Sequence, residues 1–197
     1  MRTHVLAGVL ALVSLSVGSP KLDAQATALP AVARISVPSI NTGLLRPGVE
    51  RFVVYMVEGN RRDLLARVTD DVSFVEAAPG DTVIRRIYTW STGESSYSRV
   101  DTIIADRGDL TLRRYASHTG TTVSSVDWVD GRLQGELQVD GKAMPMNAWL
   151  NARVYHDGML DLVARSSNLA SGFEATFSTF SPASGTIAPA GLTSSTE

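Results

Sequence analysis

The chain of 197 residues is long enough for one domain with a sizeable hydrophobic core. Its 18 basic and 20 acidic residues give a formal net charge of −2, which lacks the basic excess typical of nucleic-acid-binding proteins. Cysteine is absent, which excludes disulfide bonds, thiolate metal sites, a cysteine nucleophile and lipid attachment through a cysteine.

The N-terminus has the layout of a secretory signal peptide. Arg2 and His4 precede an apolar run at residues 5–17 that is too short to span a bilayer comfortably. Ala24-Gln25-Ala26 then supplies a small-residue cleavage site. We therefore expect a signal peptide at residues 1–26 and export to the periplasm or outer envelope of a bacterium, with no transmembrane segment after cleavage. An uncleaved N-terminal anchor is the alternative.

The next residues, 27–49, contain three prolines among Ser, Thr and Gly. This composition predicts an extended leader, with a short edge strand around residues 34–37. Strand patterns begin at residue 50. Residues 52–57 are apolar on both faces of a strand, which predicts a central position in a sheet. Residues 64–69 fit the returning strand, with a short helix at residues 61–66 as the alternative.

The clearest strand pattern lies at residues 132–140. Apolar side chains or glycine at 133, 135, 137 and 139 alternate with polar ones, which is typical of a strand with one face on a core and one in water. The flanking pairs Asp130-Gly131 and Asp140-Gly141 readily take the positive φ of tight hairpin turns. Neighbouring segments repeat the pattern, which indicates antiparallel strands joined in chain order.

The last strand patterns fall at residues 159–164 and 173–180, and periodicity is lost after Ser181. About ten strands at short spacings predict an all-β fold, an antiparallel meander that forms a curled sheet, a half-barrel or a barrel. The expected organisation is a single β domain at residues 50–181 followed by a disordered tail at residues 182–197.

Residues able to support catalysis or metal binding are sparse. After the expected signal peptide, only His118 and His156 remain as histidines, and His156-Asp157-Gly158 fits a hairpin turn better than a metal site. The acidic group Asp101, Asp106 and Asp109 fits turn chemistry, with a calcium site as the alternative. A Gly-x-Ser-x-Gly elbow and the phosphate-binding glycine motifs are absent from the sequence. We therefore predict a non-enzymatic protein with no metal and no cofactor.

Aromatic side chains and adjacent arginines are the candidates for ligand binding. The aromatic residues fill the core, or they line an apolar cavity if the sheet curls without filling its own interior. Each of the pairs Arg85-Arg86 and Arg113-Arg114 sends one arginine towards the apolar face, where it would either lie at the rim or bind an anionic head group. The predicted cavity residues are Trp90, Trp128, Trp149, Phe173, Phe177 and Arg114.

Two segments resemble motifs of a known family. The segment Val100–Tyr115, VDTIIADRGDLTLRRY, resembles an aspartate-bearing strand followed by a turn and a second strand in exported bacterial β proteins. The segment Tyr155–Arg165, YHDGMLDLVAR, followed by Leu169-Ala-Ser-Gly172, is similar to a later motif of the same group. This group is the domain of unknown function 3108 and its relatives, whose architecture is similar to that of the periplasmic lipoprotein carriers.

The resemblance covers about residues 50–180. It is partial at Ser167-Asn168-Leu169, where the family often has Leu-Pro-Leu. It implies a curled antiparallel sheet in the periplasm or outer envelope, and it implies no established activity. Lipid handling would follow only by analogy between folds.

Three functional hypotheses remain. The first is an envelope protein that holds an apolar or lipid-like ligand on an open concave face of the sheet. The second is a structural or assembly module that binds an envelope protein partner, for which an unpaired and uncharged edge strand would be typical. The third is a hydrolase with an unrecognised site, for which His118 or His156 should cluster with Asp and Ser in one cleft.

Overall fold

A computed structural model describes residues 39–92, 98–150, 152–167 and 173–194. The expected signal peptide at 1–26 and the expected edge strand around 34–37 lie outside the described residues. The described chain begins with a short 3-10 turn at Thr42–Leu44, where the side chain of Asn41 accepts a hydrogen bond from the Gly43 N–H. Leu45 after this turn is buried, so the end of the leader is tied to the core.

Eight strands form one antiparallel sheet in which every strand pairs with its neighbours in sequence. This confirms the predicted all-β meander, and the sheet is not closed into a barrel because β1 and β8 are its two ends. The strands are β1 (Gly48–Glu58), β2 (Arg61–Ala78), β3 (Asp81–Ser91), β4 (Ser98–Asp106), β5 (Leu112–Thr119), β6 (Thr122–Val129), β7 (Arg132–Val139) and β8 (Lys142–Trp149).

The hairpins around β7 follow from local sequence. Asp130 and Gly131 have φ values of 49° and 79°, and Asp140 and Gly141 have 51° and 74°. Positive φ at both central residues is the feature of the tight turn whose twist matches that of antiparallel strands. Within β7, the residues at 133 and 137 are buried and those at 134 and 136 are exposed, as predicted, whereas Gly135 on the predicted core face is exposed and Val139 is half-buried.

After β8 the chain forms a second, smaller sheet with a helix between its strands. The strand order is β11-β10-β9, with β9 parallel to β10. A 3-10 turn at Asp157–Met159 leads directly into the helix. The elements are β9 (Tyr155–His156), α1 (Leu160–Ser166), β10 (Glu174–Ser181) and β11 (Thr186–Thr193).

Two expectations for this region are wrong. The predicted strand at 159–164 is the 3-10 turn and α1, because Met159, Leu162, Val163 and Ser166 are buried at helical spacing. The predicted disordered tail at 182–197 contains β11, which pairs with β10 over its whole length from Thr186 to Thr193.

The segment after β8 packs against one face of the large sheet, which we call the inner face. This face carries buried residues such as Ile84, Ile103 and Leu133. The Leu112 N–H donates to the Val154 carbonyl, and the rings of Tyr115 and Phe180 lie 6.4 Å apart. The inner face is therefore covered by the chain's own later residues, which form one hydrophobic core with it. In the part of the chain that the structure describes, no helix is long and apolar enough to cross a membrane.

Candidate functional site

The three predicted cavity tryptophans lie in different surroundings. Trp128 packs against the hydrophobic core from β6, and Trp90 near the end of β3 is half-buried. Trp149 ends β8 with 66% of its surface exposed, and the guanidinium of Arg132 lies 3.7 Å from the centre of its ring. Trp149 therefore lies on the surface of an end strand, in contact with Arg132, and its assignment to a cavity stays a prediction.

The other predicted cavity residues are also divided between core and surface. Phe173 is half-buried against the core, and Phe177 is buried with its ring edge-on to Tyr155 at 5.0 Å. Arg114 has 55% of its side chain exposed and lies 3.7 Å from Asp127 on the neighbouring strand. The contact that the structure describes for Arg114 is thus an exposed ion pair, and its predicted contact with an anionic ligand stays a prediction.

A buried arginine, Arg86, faces the inner side of the sheet. Its Nε and Nη2 donate to both carboxylate oxygens of Asp70 at 2.9 and 2.6 Å. Its Nη1 and Nη2 also bind the carboxylate of Asp161, and Nη1 donates to the Gly158 carbonyl at 2.8 Å. The guanidinium lies 4.6 Å from the centre of the Tyr88 ring. All five N–H donors therefore have acceptors within the chain.

These contacts shift the pKa values of Arg86 and Asp161. Burial by itself would lower the pKa of Arg86, but the hydrogen bonds to Asp70 and Asp161 raise it above its ordinary value. Burial would raise the pKa of Asp161, but the hydrogen bond and charge of Arg86 hold it below its usual value. Because Asp70 belongs to β2, Arg86 to β3 and Asp161 to α1, the cluster joins the helix to the sheet and leaves no donor for a ligand.

His156 is buried beside this cluster. Its ring lies 4.8 Å from Tyr115, and its Nδ1 lies 3.0 Å from the Asp157 carboxylate. The Gly158 N–H donates to the His156 Nδ1 at 2.9 Å and to the Asp157 carboxylate at 2.7 Å. Burial would raise the pKa of Asp157, but the neighbouring His156 and Ser181 side chains and this N–H hold it below its usual value. His118 is exposed on β5, so the two histidines lie in different surroundings.

Two clefts open on the described surface. One of about 290 Å³ lies between the turn before β1, the inner face of β1 and β2, and α1. The other, of about 130 Å³, is lined by Asp109, Arg153, Tyr155 and Phe177 among others. Burial and the nearby Asp109 raise the pKa of Tyr155 to about 12, so the phenol is neutral.

Within the described ranges, no group of three or more His, Asp or Glu side chains is spaced to hold a metal ion.

The most unusual surface is the hairpin of β1 and the first part of β2, residues 49–65, which we call the arm. Between Val53 and Ala66 the two strands pair only with each other, because β3 first pairs with β2 at Arg67. Eight large apolar side chains of the arm are 38–63% exposed, out of twelve such exposed residues in the described chain. They are Val49, Phe52, Val53, Tyr55, Met56, Val57, Leu64 and Leu65.

Both faces of the arm are apolar. Phe52 pairs with the buried Val68, so Phe52, Val54 and Met56 lie on the inner side of the sheet. The alternate residues Val49, Val53, Tyr55 and Val57 lie on the outer side. The expectation that this segment is a central strand is wrong, because β1 is an end strand of the sheet. The pattern correctly showed two apolar faces but could not show that the described chain leaves them uncovered.

No protein-family model matches this chain, and neither a curated protein nor a solved structure matches it. The resemblance to the domain of unknown function 3108 therefore remains a prediction. The sequence reasoning missed the aspartate partners of Arg86, which lie 16 and 75 residues away along the chain. Their only sequence signal was an arginine at an inward position of a strand, which requires a buried carboxylate partner.

Proposed function

We propose that this protein is a non-enzymatic binding module of the bacterial cell envelope that binds a protein partner along the arm. The observation that carries the proposal is the concentration of eight exposed apolar side chains in this one hairpin. Apolar patches of this extent are rare on monomeric proteins and are typical of interaction surfaces. Export to the envelope rests on the signal-peptide pattern of residues 1–26.

Among the described residues no strand pairs with the outer edge of β1, which supports partner binding by strand addition. An end strand presents backbone N–H and C=O groups that a second extended chain can use. Proteins commonly protect such edges with lysine or proline. The opposite end strand, β8, carries Lys142 and Pro145, and the end strand of the small sheet, β11, carries Pro189. β1 contains neither residue type, and its charged residues Glu50, Arg51 and Glu58 leave residues 52–57 as its longest uncharged run.

The second candidate function is the binding of an apolar or lipid-like ligand. The cleft of about 290 Å³ favours it, because Leu44, Leu45, Val72 and Leu162 line its apolar part beside the inner face. Arg46, Glu50 and Arg165 line the same cleft and would face a polar head group. We rank this function second because residues after β8 already cover the inner face, so a larger ligand would have to displace them.

Site-specific photocrosslinking in the producing bacterium tests the proposed function. Benzoylphenylalanine would replace Tyr55 on the arm or, as the matched control, Val123 on β6; the two are 50% and 48% exposed. We expect a protein adduct of defined mass from position 55 and none from position 123. Equal adducts at both positions, or lipid adducts alone at position 55, would contradict a protein-binding arm.

A further inference from the structure

We propose that the partner of the arm is a second copy of this chain, bound by antiparallel pairing of β1 with β1 about a two-fold axis at Val53. This inference rests on the proposed function, since it names the partner of the same surface. Closed two-fold dimers are the commonest assemblies of soluble proteins, and their interface must be complementary to itself. The features of β1 meet that requirement.

The first feature is the position of Val53 at the centre of the strand. In a symmetric antiparallel pair, one residue must face its own copy, and pairing spreads equally to both sides. β1 runs from Gly48 to Glu58, so an axis at Val53 pairs all eleven residues of the strand. β1 has no proline, and its only register irregularity with β2 falls between Val54 and Tyr55, where β2 carries an extra residue.

The second feature is the match of side chains across this pairing. Val49 faces Val57 of the second copy, Phe52 faces Val54, and Glu50 faces Met56, which is the one pair that sets a charge against an apolar side chain. Arg51 faces Tyr55, which allows a contact between the guanidinium and the aromatic ring on each side of the axis. Glu58 lies opposite Gly48 and two positions from the exposed Arg46 of the second copy, so opposite charges meet at both ends of the pairing.

The third feature is the area of apolar surface. A large apolar side chain carries on the order of 150–200 Å² of surface, so eight that are about half exposed present roughly 600–700 Å². Stable interfaces bury about 800 Å² per partner. When β1 pairs with β1, the backbone edge and the flanks of the six apolar β1 side chains are buried, whereas Leu64 and Leu65 of β2 stay outside the contact.

The tip of the arm favours a protein over a lipid surface as its partner. The turn and its flanks carry Glu58, Arg61, Arg62 and Asp63, and Arg61 is 2.9 Å from Asp63. A hairpin that enters a membrane tip-first would have to bury these charges, which is costly. Antiparallel pairing instead leaves the two tips at opposite ends of the interface and in water.

Sedimentation analysis of the purified protein from about 1 to 100 µM tests the dimer. We expect wild type to dimerise and Val53→Arg to weaken association by about 100-fold or more, because two arginines would then face each other. Val123→Arg, at a residue of similar exposure on β6, should leave association unchanged. A monomeric wild type, or a Val53→Arg variant that dimerises like wild type, would overturn the inference.

Single-cysteine variants give a second test that does not depend on a disruptive substitution. The chain has no cysteine, so Phe52→Cys, Val53→Cys and Val54→Cys each introduce one thiol. Opposite residues in antiparallel strands lie within the distance that a disulfide spans. We expect fastest oxidative crosslinking at position 53. Equal rates at the three positions, or no crosslinked dimer at any of them, would contradict the axis at Val53.

The two proposals fail in different ways. A monomeric purified protein whose position 55 crosslinks to a different protein in cells would overturn the second copy as partner and leave the arm as a binding surface. A monomeric protein without any protein adduct at position 55 would overturn both.

Discussion

Gly135 shows how one residue determines the approach of two strands. It lies opposite Val126 of β6 and Met146 of β8 and has a φ of 151°. A Cβ atom at this position would lie 2.0 Å from the carbonyl oxygen of Ser125. Backbone atoms cannot move aside as a flexible side chain can, so only glycine permits this spacing.

Gly135→Ala should therefore destabilise the fold by about 3 kcal/mol or more, through both the clash and the unfavourable φ. Urea unfolding would measure the change in the free energy of unfolding. Gly48→Ala is the matched control, because a Cβ atom there meets nothing within 4 Å. Its effect should stay within about 0.5 kcal/mol. Similar losses in the two variants would contradict the close approach at Gly135.

At the scale of elements, β7 and its two turns were predictable because residues within the strand and directly beside it determine their structure. Asp-Gly pairs favour positive φ, and period-two alternation assigns each side chain to a face. Arg86 was predictable as an inward residue, but its carboxylate partners depend on how distant segments pack. The exposed arm was unpredictable for the same reason, since apolarity shows what a strand can bury and not what covers it.

The helix α1 was missed although part of its signal was present. Met159, Leu162 and Val163 follow helical spacing, but a run this short also fits a strand. The helix also contacts the sheet through the hydrogen bond from Arg86 to Asp161. Such a contact between distant segments cannot be seen in the local periodicity. β11 was missed because its Pro, Ala, Gly and Thr content resembles a disordered tail, whereas pairing with β10 decides its structure.

Truncation tests the contribution of β11. A chain that ends at Gly185 loses the whole ladder with β10 and the half-buried Ile187 and Leu192, which pack against the core. We expect a loss of about 2 kcal/mol or more from the free energy of unfolding. Truncation after Ser194 serves as the control and should have little effect. An unchanged thermal midpoint in the shorter chain would mean that β11 adds no stability.

At the scale of the molecule, ionised carboxylates link the helix to the large sheet. The pKa values of Asp161, Asp157 and Asp106 all lie below their usual range, because hydrogen bonds to Arg86, to His156 and to Arg113 outweigh the effect of burial. A carboxyl group with a lowered folded-state pKa contributes stability above its unfolded pKa of about 4. That stability is lost as pH falls through the folded-state pKa.

We therefore expect the free energy of unfolding to be constant near neutral pH and to fall below about pH 4. At pH 7 the Asp161→Asn substitution should lower the free energy of unfolding by about 1–2 kcal/mol. We expect no larger loss, because Asp161 is 43% exposed and solvent screens its charge. The substitution should also reduce the loss of stability at acid pH. Asp63→Asn, which alters an exposed pair with Arg61, should change stability by less than about 0.5 kcal/mol. Urea titrations from pH 3 to 7 would measure both, and parallel pH profiles for wild type and Asp161→Asn would contradict this role.

The order of the elements along the chain has a consequence for biogenesis. Residues that cover the inner face, such as Val154, Met159 and Phe180, come after all eight strands of the large sheet. A chain that has emerged only as far as Trp149 would leave Ile103, Tyr115 and Leu133 open to water. The hydrophobic core can close only once the last segment has left the ribosome or the export channel. Until then the emerging sheet is exposed to proteases and chaperones.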